Sequence, residues 1–388
     1  MISSKLFSNN IVNFLNCSTK LITMNRLLFI IPVICCCILN AQEPVDSTVI
    51  QVPSEDFLNK LDSLGGMDSI ASAQLQYNKG VELMEQKKYE MAIAFFDTSI
   101  VYNPAFALAY FNKGVCQHKK GAFDLAKSNF NLAIEKDPAF HLAHYEMGLV
   151  YEEEGFVDMA KESYSNAIKI NGKEAKYYYQ RGVLVFQAEE YEKAIQDFNQ
   201  AISNKSNHAY AYNDRGSSYL KLGDLDAAIK DFHKAVQYNP SLSFSYNNLG
   251  SAYRKKEKFN EAISAYNNAV KLDNKYYVAY NNRGMAKYGK EDYEGAIQDF
   301  KKALAIKSDY SFAFNNQASA YIGMEDWENA IKAANQAINL DPNYTYAYYN
   351  RAIAKEMMRD LDGACSDWMK ASELGLDAAR IYYSSTCK

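Results

Sequence analysis

The chain has 388 residues, 48% of them apolar and 23% charged, a composition that excludes disordered and collagen-like proteins. Residues 1–41 contain three basic and no acidic residues, so subtracting them from the net charge of −4 leaves −7 for the remainder. Such a chain has no basic surplus to attract a phosphate backbone, and we expect no nucleic-acid partner.

Residues 1–41 are predicted to be a secretory signal peptide. Arg26 precedes the mostly apolar stretch Leu27–Leu39, and the small residue Ala41 follows it, an order typical of such signals. As a helix, the 13 residues of this stretch span ~20 Å, less than the ~30 Å hydrocarbon core of a bilayer. We therefore expect no stable membrane span after signal cleavage. Residues 1–23 match no part of a signal, which indicates that Met24 is the true start.

The predicted signal places the protein outside the cytoplasm: in the periplasm, in the cell envelope or secreted. Lipidation within Cys35–Cys37 is an alternative to simple cleavage, although the bulky Ile34 precedes these cysteines where a lipoprotein signal has a small residue. An odd number of cysteines follows the signal, which allows at most one disulfide. They are Cys116, Cys365 and Cys387.

A 34-residue period covers the chain from residue 73 to residue 378. A glycine or alanine, called here the key residue, recurs at this interval in nine units without insertion or deletion. An alanine follows 12 residues later in all nine units, and an aromatic residue follows 16 residues later in eight. Slots are numbered from the key residues, which are Gly80, Gly114, Gly148, Gly182, Gly216, Gly250, Gly284, Ala318 and Ala352.

Each unit is predicted to form two antiparallel helices. In the fifth unit, Tyr212, Gly216 and Tyr219 recur at helical spacing before a break at Gly223, and Ala228 resumes the pattern. Small residues let the two backbones approach, and the aromatic residues fill the space between them. Because each hairpin leaves an apolar face that its neighbour buries, we expect a core that continues along the array.

These small, aromatic and alanine slots resemble the tetratricopeptide repeat (TPR) family. The resemblance implies an all-α fold, a right-handed superhelical solenoid of nine 34-residue helix-turn-helix repeats. It also implies a concave groove, lined mainly by the first helix of each repeat, that binds a protein or an extended peptide. A signal before such an array, and a last cysteine near its end, resemble secreted TPR proteins of Gram-negative bacteria.

Two shorter segments flank the predicted repeats. Residues 42–72 are interpreted as a linker in which Ser54 to Leu64 has the pattern of a short capped amphipathic helix. This helix would cover the first repeat, and a plain flexible tether is the alternative. Residues 379–388 are interpreted as a C-terminal capping segment, with a final helix from Asp377 to Tyr383.

No catalytic motif is present in the sequence. His141 and His144 share a helix face, but two ligands fall short of a zinc site, and His144 occupies a slot that is tyrosine in other units. There is no Cys-x-x-Cys pair, phosphate-binding loop or nucleophile elbow. We therefore expect no enzyme activity, no cofactor, no metal and no small-molecule substrate.

Asparagine dominates two neighbouring slots of the first helix. Slot −2 holds asparagine in six units, and slot −3 adds four more. An amide offers both a donor and an acceptor, as a peptide backbone does, so amides stacked once per repeat would bind an extended chain. This pattern resembles the asparagine ladder of some TPR arrays, and inheritance by duplication is the alternative. The predicted groove residues are Asn78, Asn112, Asn213, Asn247, Asn248, Asn281, Asn282, Asn315, Asn316 and Asn350.

Two functions follow from this pattern. The first is a non-catalytic scaffold that binds peptides or partner proteins in the groove. The alternative is a structural or assembly component of a cell-envelope complex, which acts through the convex surface or the array ends. The carboxylate clamp of chaperone-binding members has lysine at slot −3 and asparagine at slot +1, and neither occurs here, so we exclude recognition of chaperone tails.

Arginine and aspartate occur together in the same repeats. Four units have arginine at slot −1, and the same four units have aspartate 16 residues later. An arginine in a slot that holds Met147 or Leu249 in other units is partly buried and needs a carboxylate to avoid an uncompensated charge. The pattern predicts four structural ion pairs: Arg181–Asp197, Arg215–Asp231, Arg283–Asp299 and Arg351–Asp367.

The last two cysteines are predicted to form a disulfide. Cys365 lies in the second helix of the last unit, and Cys387 follows 22 residues later, after the final helix. A final helix that folds back brings their Cα atoms within the ~4.4–6.8 Å that a disulfide requires. A buried thiol at Cys365 with a frayed tail is the alternative. Cys116 is then the free, packed thiol.

Overall fold

The structure, a computed structural model, describes residues 69–387, which form nineteen α-helices and no strand. The predicted signal peptide, the start at Met24 and the helix from Ser54 to Leu64 lie outside the described residues. The described chain divides into two compact units, residues 69–218 and residues 219–387, and each is described by itself.

The odd-numbered helices from α1 to α17 carry the key residues, and each of these nine is followed by an even-numbered partner. The helices up to the boundary of the units are α1 Ser69–Glu85, α2 Tyr89–Tyr102, α3 Ala107–Lys119, α4 Phe123–Lys136, α5 His141–Glu153, α6 Val157–Ile170, α7 Ala175–Gln187, α8 Tyr191–Asn204 and α9 Ala209–Leu222.

The helices of the second unit begin after α9, inside which the boundary falls. They are α10 Leu225–Tyr238, α11 Ser243–Lys255, α12 Phe259–Leu272, α13 Tyr277–Tyr288, α14 Tyr293–Ile306, α15 Ser311–Gly323, α16 Trp327–Leu340, α17 Thr345–Met357, α18 Leu361–Glu373 and α19 Asp377–Thr386.

The predicted all-helical fold of consecutive helix pairs is confirmed. Helix α1 begins at Ser69, four residues before the predicted start of the repeats, and α19 begins at Asp377 as predicted. Within each unit a helix packs against its predecessor and successor, and neighbouring odd helices such as α13 and α15 also touch. The right-handed superhelical twist stays a prediction.

The key glycines are required by the aromatic residue of the second helix. A Cβ atom at Gly80 would lie 2.6 Å from the ring of Phe96, and one at Gly250 would lie 2.7 Å from the ring of Tyr266. Both rings are fully buried. A side chain at these positions would force the helices apart, which explains the 34-residue recurrence of a small residue.

The turn inside a repeat has its own sequence signal. Gly223 adopts a φ of +86°, a left-handed conformation that favours glycine. Asp224 follows it, and its side chain accepts a hydrogen bond from the backbone N–H of Ala227 at 3.0 Å. This carboxylate therefore satisfies one of the free donors at the start of α10.

The C-terminal helix α19 covers the last helix pair. Cys365 and Cys387 form a disulfide with Cα atoms 5.7 Å apart. Trp368 is fully buried and stacks on Tyr382 with ring centroids 5.2 Å apart. Cys116 is a free and buried thiol, and burial raises its pKa to about 12.

None of the helices in residues 69–387 is long and apolar enough to cross a membrane.

Candidate functional site

Three predicted ion pairs are present with bidentate geometry. Arg283 Nη2 lies 2.6 Å from Asp299 Oδ1, and its Nε lies 2.8 Å from Oδ2. The same two contacts measure 2.6 and 2.9 Å for Arg181–Asp197, and 2.6 and 2.8 Å for Arg351–Asp367. The two residues of the fourth pair, Arg215–Asp231, lie in different units, so this pair stays a prediction.

Each of these arginines also reaches the preceding repeat, which the sequence analysis missed. Arg283 Nη1 donates to Asn267 Oδ1 at 2.7 Å, 16 residues earlier in the chain. The sequence does indicate this contact. In each case the repeat that precedes an arginine-bearing repeat has serine or asparagine at its slot +17. The equivalent contacts are Arg181–Ser165 at 3.0 Å, Arg215–Asn199 at 2.6 Å and Arg351–Asn335 at 2.7 Å.

The predicted groove asparagines of the second unit bond to one another. Each amide at slot −2 donates to the amide oxygen at slot −3 of the preceding repeat, 35 residues earlier. The three bonds are Asn282 to Asn247 at 3.0 Å, Asn316 to Asn281 at 2.9 Å and Asn350 to Asn315 at 2.8 Å. A ladder of amides is therefore present, but it joins neighbouring repeats.

These amides are also buried. Asn247, Asn248, Asn281, Asn282, Asn315 and Asn316 are between 0 and 8% exposed, and Asn350 is half-buried. This differs from the expectation that each amide offers its whole donor and acceptor set to a ligand. The difference arises because the two slots face each other across a repeat junction, where one donor and one acceptor are already used.

The first unit fills the same slots differently. Asn112 Nδ2 donates to the hydroxyl of Tyr77 at 2.7 Å, and Tyr179 donates to Asp214 Oδ2 at 3.0 Å. Asn213 Nδ2 donates to the other oxygen of Asp214 at 2.8 Å. Asn78 is half-buried and accepts a hydrogen bond from a side chain of its own helix. Phenol and carboxylate groups therefore replace amides at these junctions.

Burial raises the pKa of Asp214 to about 6, although the hydrogen bonds from Asn213 and Tyr179 oppose the shift. The carboxyl group is buried, and both hydrogen-bond donors that it contacts within residues 69–218, Asn213 and Tyr179, are uncharged. Its protonated form is therefore favoured by the fold relative to an exposed aspartate.

The histidines do not form a metal site. His141 Nδ1 lies 2.6 Å from the hydroxyl of Tyr177, and burial lowers the pKa of His144. The buried His118 lies 3.0 Å from Glu153 and 3.8 Å from Glu146. Within residues 69–387 no group of three or more His, Cys, Asp or Glu side chains is placed to hold a metal ion.

Comparison with known families gives one consistent match. Family models of the tetratricopeptide repeat match six stretches that together span more than half of the chain. These are residues 77–139, 145–209, 209–242, 243–276, 277–310 and 313–344.

The chain is also similar to solved structures, one of which, with a TM-score above 0.5, shows the same fold. A chain of the APC/C hetero-tetramer Cut9–Hcn1 has a TM-score of 0.52 at 14% identity, with 86% of this chain and 81% of that chain covered. A tetratricopeptide repeat protein from Parabacteroides merdae ATCC 43184 has a TM-score of 0.49 at 19% identity, with 66% and 98% covered. YrrB, a TPR protein with an unusual peptide-binding site, has a TM-score of 0.42 at 24% identity, with 49% and 97% covered. No curated protein matches the chain significantly.

Proposed function

Because the chain belongs to the tetratricopeptide repeat family, we propose that it is an exported scaffold that binds an extended peptide or a partner protein along the face of its odd-numbered helices. Proteins of this family bind proteins or peptides, and the fold is generally non-catalytic.

The proposal is supported mainly by a polar row in the second unit, which consists of its buried amide pairs. Amide pairs recur at three successive repeat junctions on the odd-numbered helices, at Asn282, Asn316 and Asn350. The row is preorganised, because each amide is held by its neighbour. A rigid and regularly spaced polar row matches an extended backbone better than it matches a compact small molecule.

A structural or assembly role through the outer surface is the second candidate. Three apolar side chains recur at 34-residue intervals on the even-numbered helices of the first unit and are exposed by about half. They are Met91 at 54%, Leu125 at 57% and Met159 at 46%. A row of exposed apolar side chains of this kind indicates an interaction site.

Site-specific photocrosslinking separates the two candidates. A photoreactive amino acid replaces Ser319, which is half-buried on α15, or Met159, which is exposed on α6. We expect a partner to be captured through position 319 and to rebind the purified wild-type chain. Capture through position 159 alone would favour the assembly role, and capture through neither position would contradict both.

A second variant tests the amide row itself. Asn248→Ala/Asn282→Ala/Asn316→Ala removes three slot −2 amides, and we expect loss of the captured partner. Because these side chains are buried, circular dichroism and the urea midpoint must show that the variant still folds. Full retention of the partner by a folded triple variant would count against the groove.

Export is tested separately. Residues 24–41, fused to a reporter that is active only outside the cytoplasm, are expected to direct its export, because they contain the basic residue and the apolar stretch of a signal. A fusion that stays in the cytoplasm would contradict this part of the proposal.

A further inference from the structure

Helix α11 carries two cations in slots that are otherwise mostly uncharged in the second unit. Arg254 occupies slot +4, where Leu220, Tyr288 and Ile322 stand in neighbouring repeats. It is half-buried, and its Nε atom is inaccessible to solvent and has no hydrogen-bond acceptor. Lys255 follows it and is also half-buried.

Neither cation has an acidic partner. Among residues 69–387, Arg254 and Lys255 form no ion pair, whereas Arg283 in the next repeat binds Asp299 at 2.6 Å. The contrast with the first unit is sharper, because His118 occupies the same slot +4 as Arg254 and has Glu153 at 3.0 Å. Arg283 and His118 therefore have acidic partners within the chain, whereas Arg254 and Lys255 have none.

The unpaired charges affect each other. The pKa of Lys255 is lowered to about 8, first because of burial and then because Arg254 and Lys221 are positive. The hydroxyl of the buried Tyr266 lies beside Arg254 but brings no negative charge at neutral pH. The helix therefore holds a local concentration of positive charge that a bound anion would relieve.

An unused hydrogen-bond donor lies on the same face of α11 as Arg254. Asn247 lies seven residues, or two turns, before Arg254, so both occupy one face of α11. Asn247 is completely buried, and its Nδ2 atom has no acceptor although its Oδ1 accepts from Asn282 at 3.0 Å.

We propose that Asn247, Arg254 and Lys255 form a subsite for the carboxylate of an aspartate or glutamate in a bound peptide. This inference rests on the proposed function, whose face of odd-numbered helices it shares. It adds that the partner segment is acidic, since a guanidinium and an ammonium group bind a carboxylate through charge-assisted hydrogen bonds.

Two fluorescent decapeptides test the proposal, one alternating serine with glutamate and the other alternating serine with glutamine. By fluorescence anisotropy at low salt, we expect the wild-type chain to bind the acidic peptide about tenfold more tightly. The variant Arg254→Gln/Lys255→Gln is expected to lose this preference. The matched control Lys301→Gln/Lys332→Gln removes two exposed charges of the same unit and is expected to keep it.

A local readout accompanies the affinities. In NMR spectra of the reductively ¹³C-methylated chain, the Lys255 signal is assigned by its loss in Lys255→Gln. We expect the acidic peptide to raise the pKa of Lys255 and the neutral peptide to leave it unchanged. A merely electrostatic attraction to the whole surface would not single out this lysine.

The outcomes are distinct. Equal binding of both peptides, or an acidic preference that survives Arg254→Gln/Lys255→Gln, would overturn the subsite and leave the proposed function standing. A response of Lys255 to inorganic phosphate but not to the acidic peptide would also overturn it, in favour of a phosphorylated partner. Binding of neither peptide would count against both proposals.

Discussion

The two units build the same repeat junction from different chemistry. In residues 69–218 the contact between slots −2 and −3 uses tyrosine, asparagine and a carboxylate, as in Tyr179 and Asp214. In residues 219–387 it uses amide pairs, as in Asn282 and Asn247. Glu146 and Glu153 lie beside the buried His118 of the first unit, whereas the amides of the second unit leave Arg254 without a counter-charge. The same repeat frame thus supports junctions with carboxylates in the first unit and junctions with amides beside unpaired cations in the second.

The largest expected effect tests what the two units have in common. Asp299→Ala leaves Arg283 and Lys287 without the carboxylate that they contact at 2.6 and 2.8 Å. We expect a loss of ~3–5 kcal/mol in the free energy of unfolding, measured by urea denaturation. The exposed Asp309, paired with Lys307 at 3.2 Å, is the control, and Asp309→Ala should cost under ~1 kcal/mol. Equal effects of the two variants would contradict a buried role for the pair.

The next largest effect is a pH dependence of stability that arises from Asp214 in the first unit. The pKa of Asp214 is about 6 in the fold, above its ordinary value of 3.8, so the fold disfavours the charged form. Ionisation therefore costs stability as the pH rises from about 4 to 6, and the whole penalty is present above that range. Relative to Asp214→Asn, wild-type stability is expected to fall by about 2–3 kcal/mol across this window, since one pKa unit corresponds to ~1.4 kcal/mol. A difference that is constant with pH would refute this.

Removing one buried amide from each unit compares the two kinds of repeat junction directly. Asn282→Ala leaves the oxygen of Asn247 without its donor, and Asn112→Ala removes the donor to the hydroxyl of Tyr77. We expect each variant to lose about 1–2 kcal/mol of unfolding free energy, because a buried polar atom becomes unsatisfied. Asn268→Ala, at an exposed amide on α12, is the control and should be nearly neutral. If Asn282→Ala is also neutral, the amide row is not part of the junction.

The smallest effect has the opposite sign. Lys255→Gln removes a cation that burial and two like charges disfavour, so we expect a gain of about 1 kcal/mol at pH 7 after allowing for solvent screening. Because the pKa of Lys255 in the fold, about 8, lies below its ordinary value, the penalty is full below pH 8. It disappears as the pH approaches 10.5, so wild-type stability should approach that of the variant there. Destabilisation by this substitution at pH 7 would show that Lys255 has a partner in the free protein.

Much of the fold was predictable because the repeats of the chain can be aligned with one another. The key glycines and their aromatic partners recur at a fixed interval, and Arg283 with Asp299 recurs as a pair within single repeats. Comparing equal slots across repeats therefore identifies contacts inside a hairpin. The Cys365–Cys387 disulfide was accessible for a different reason, since one short helix separates the two residues.

The amide junctions were missed for a related reason. They connect residues 35 apart, such as Asn316 and Asn281, whereas the repeat interval is 34. A comparison of equal slots cannot detect a contact between two different slots in neighbouring repeats. In addition, a polar side chain on a helix is ordinarily assigned to solvent, and only the packing of adjacent odd-numbered helices shows that these amides are buried.

The disulfide at the C-terminus gives the unfolding of this array a direction. In stacked repeats, terminal elements open most easily, because each has a neighbour on one side only. Here the disulfide between Cys365 and Cys387 links α19 to α18. Helix α19, which covers the last helix pair, therefore stays close by when it detaches. The covalent link keeps the closing segment at a high local concentration and makes re-closure fast. Progressive opening, by heat or by a protease that follows exposed chain, is therefore opposed at the α19 end.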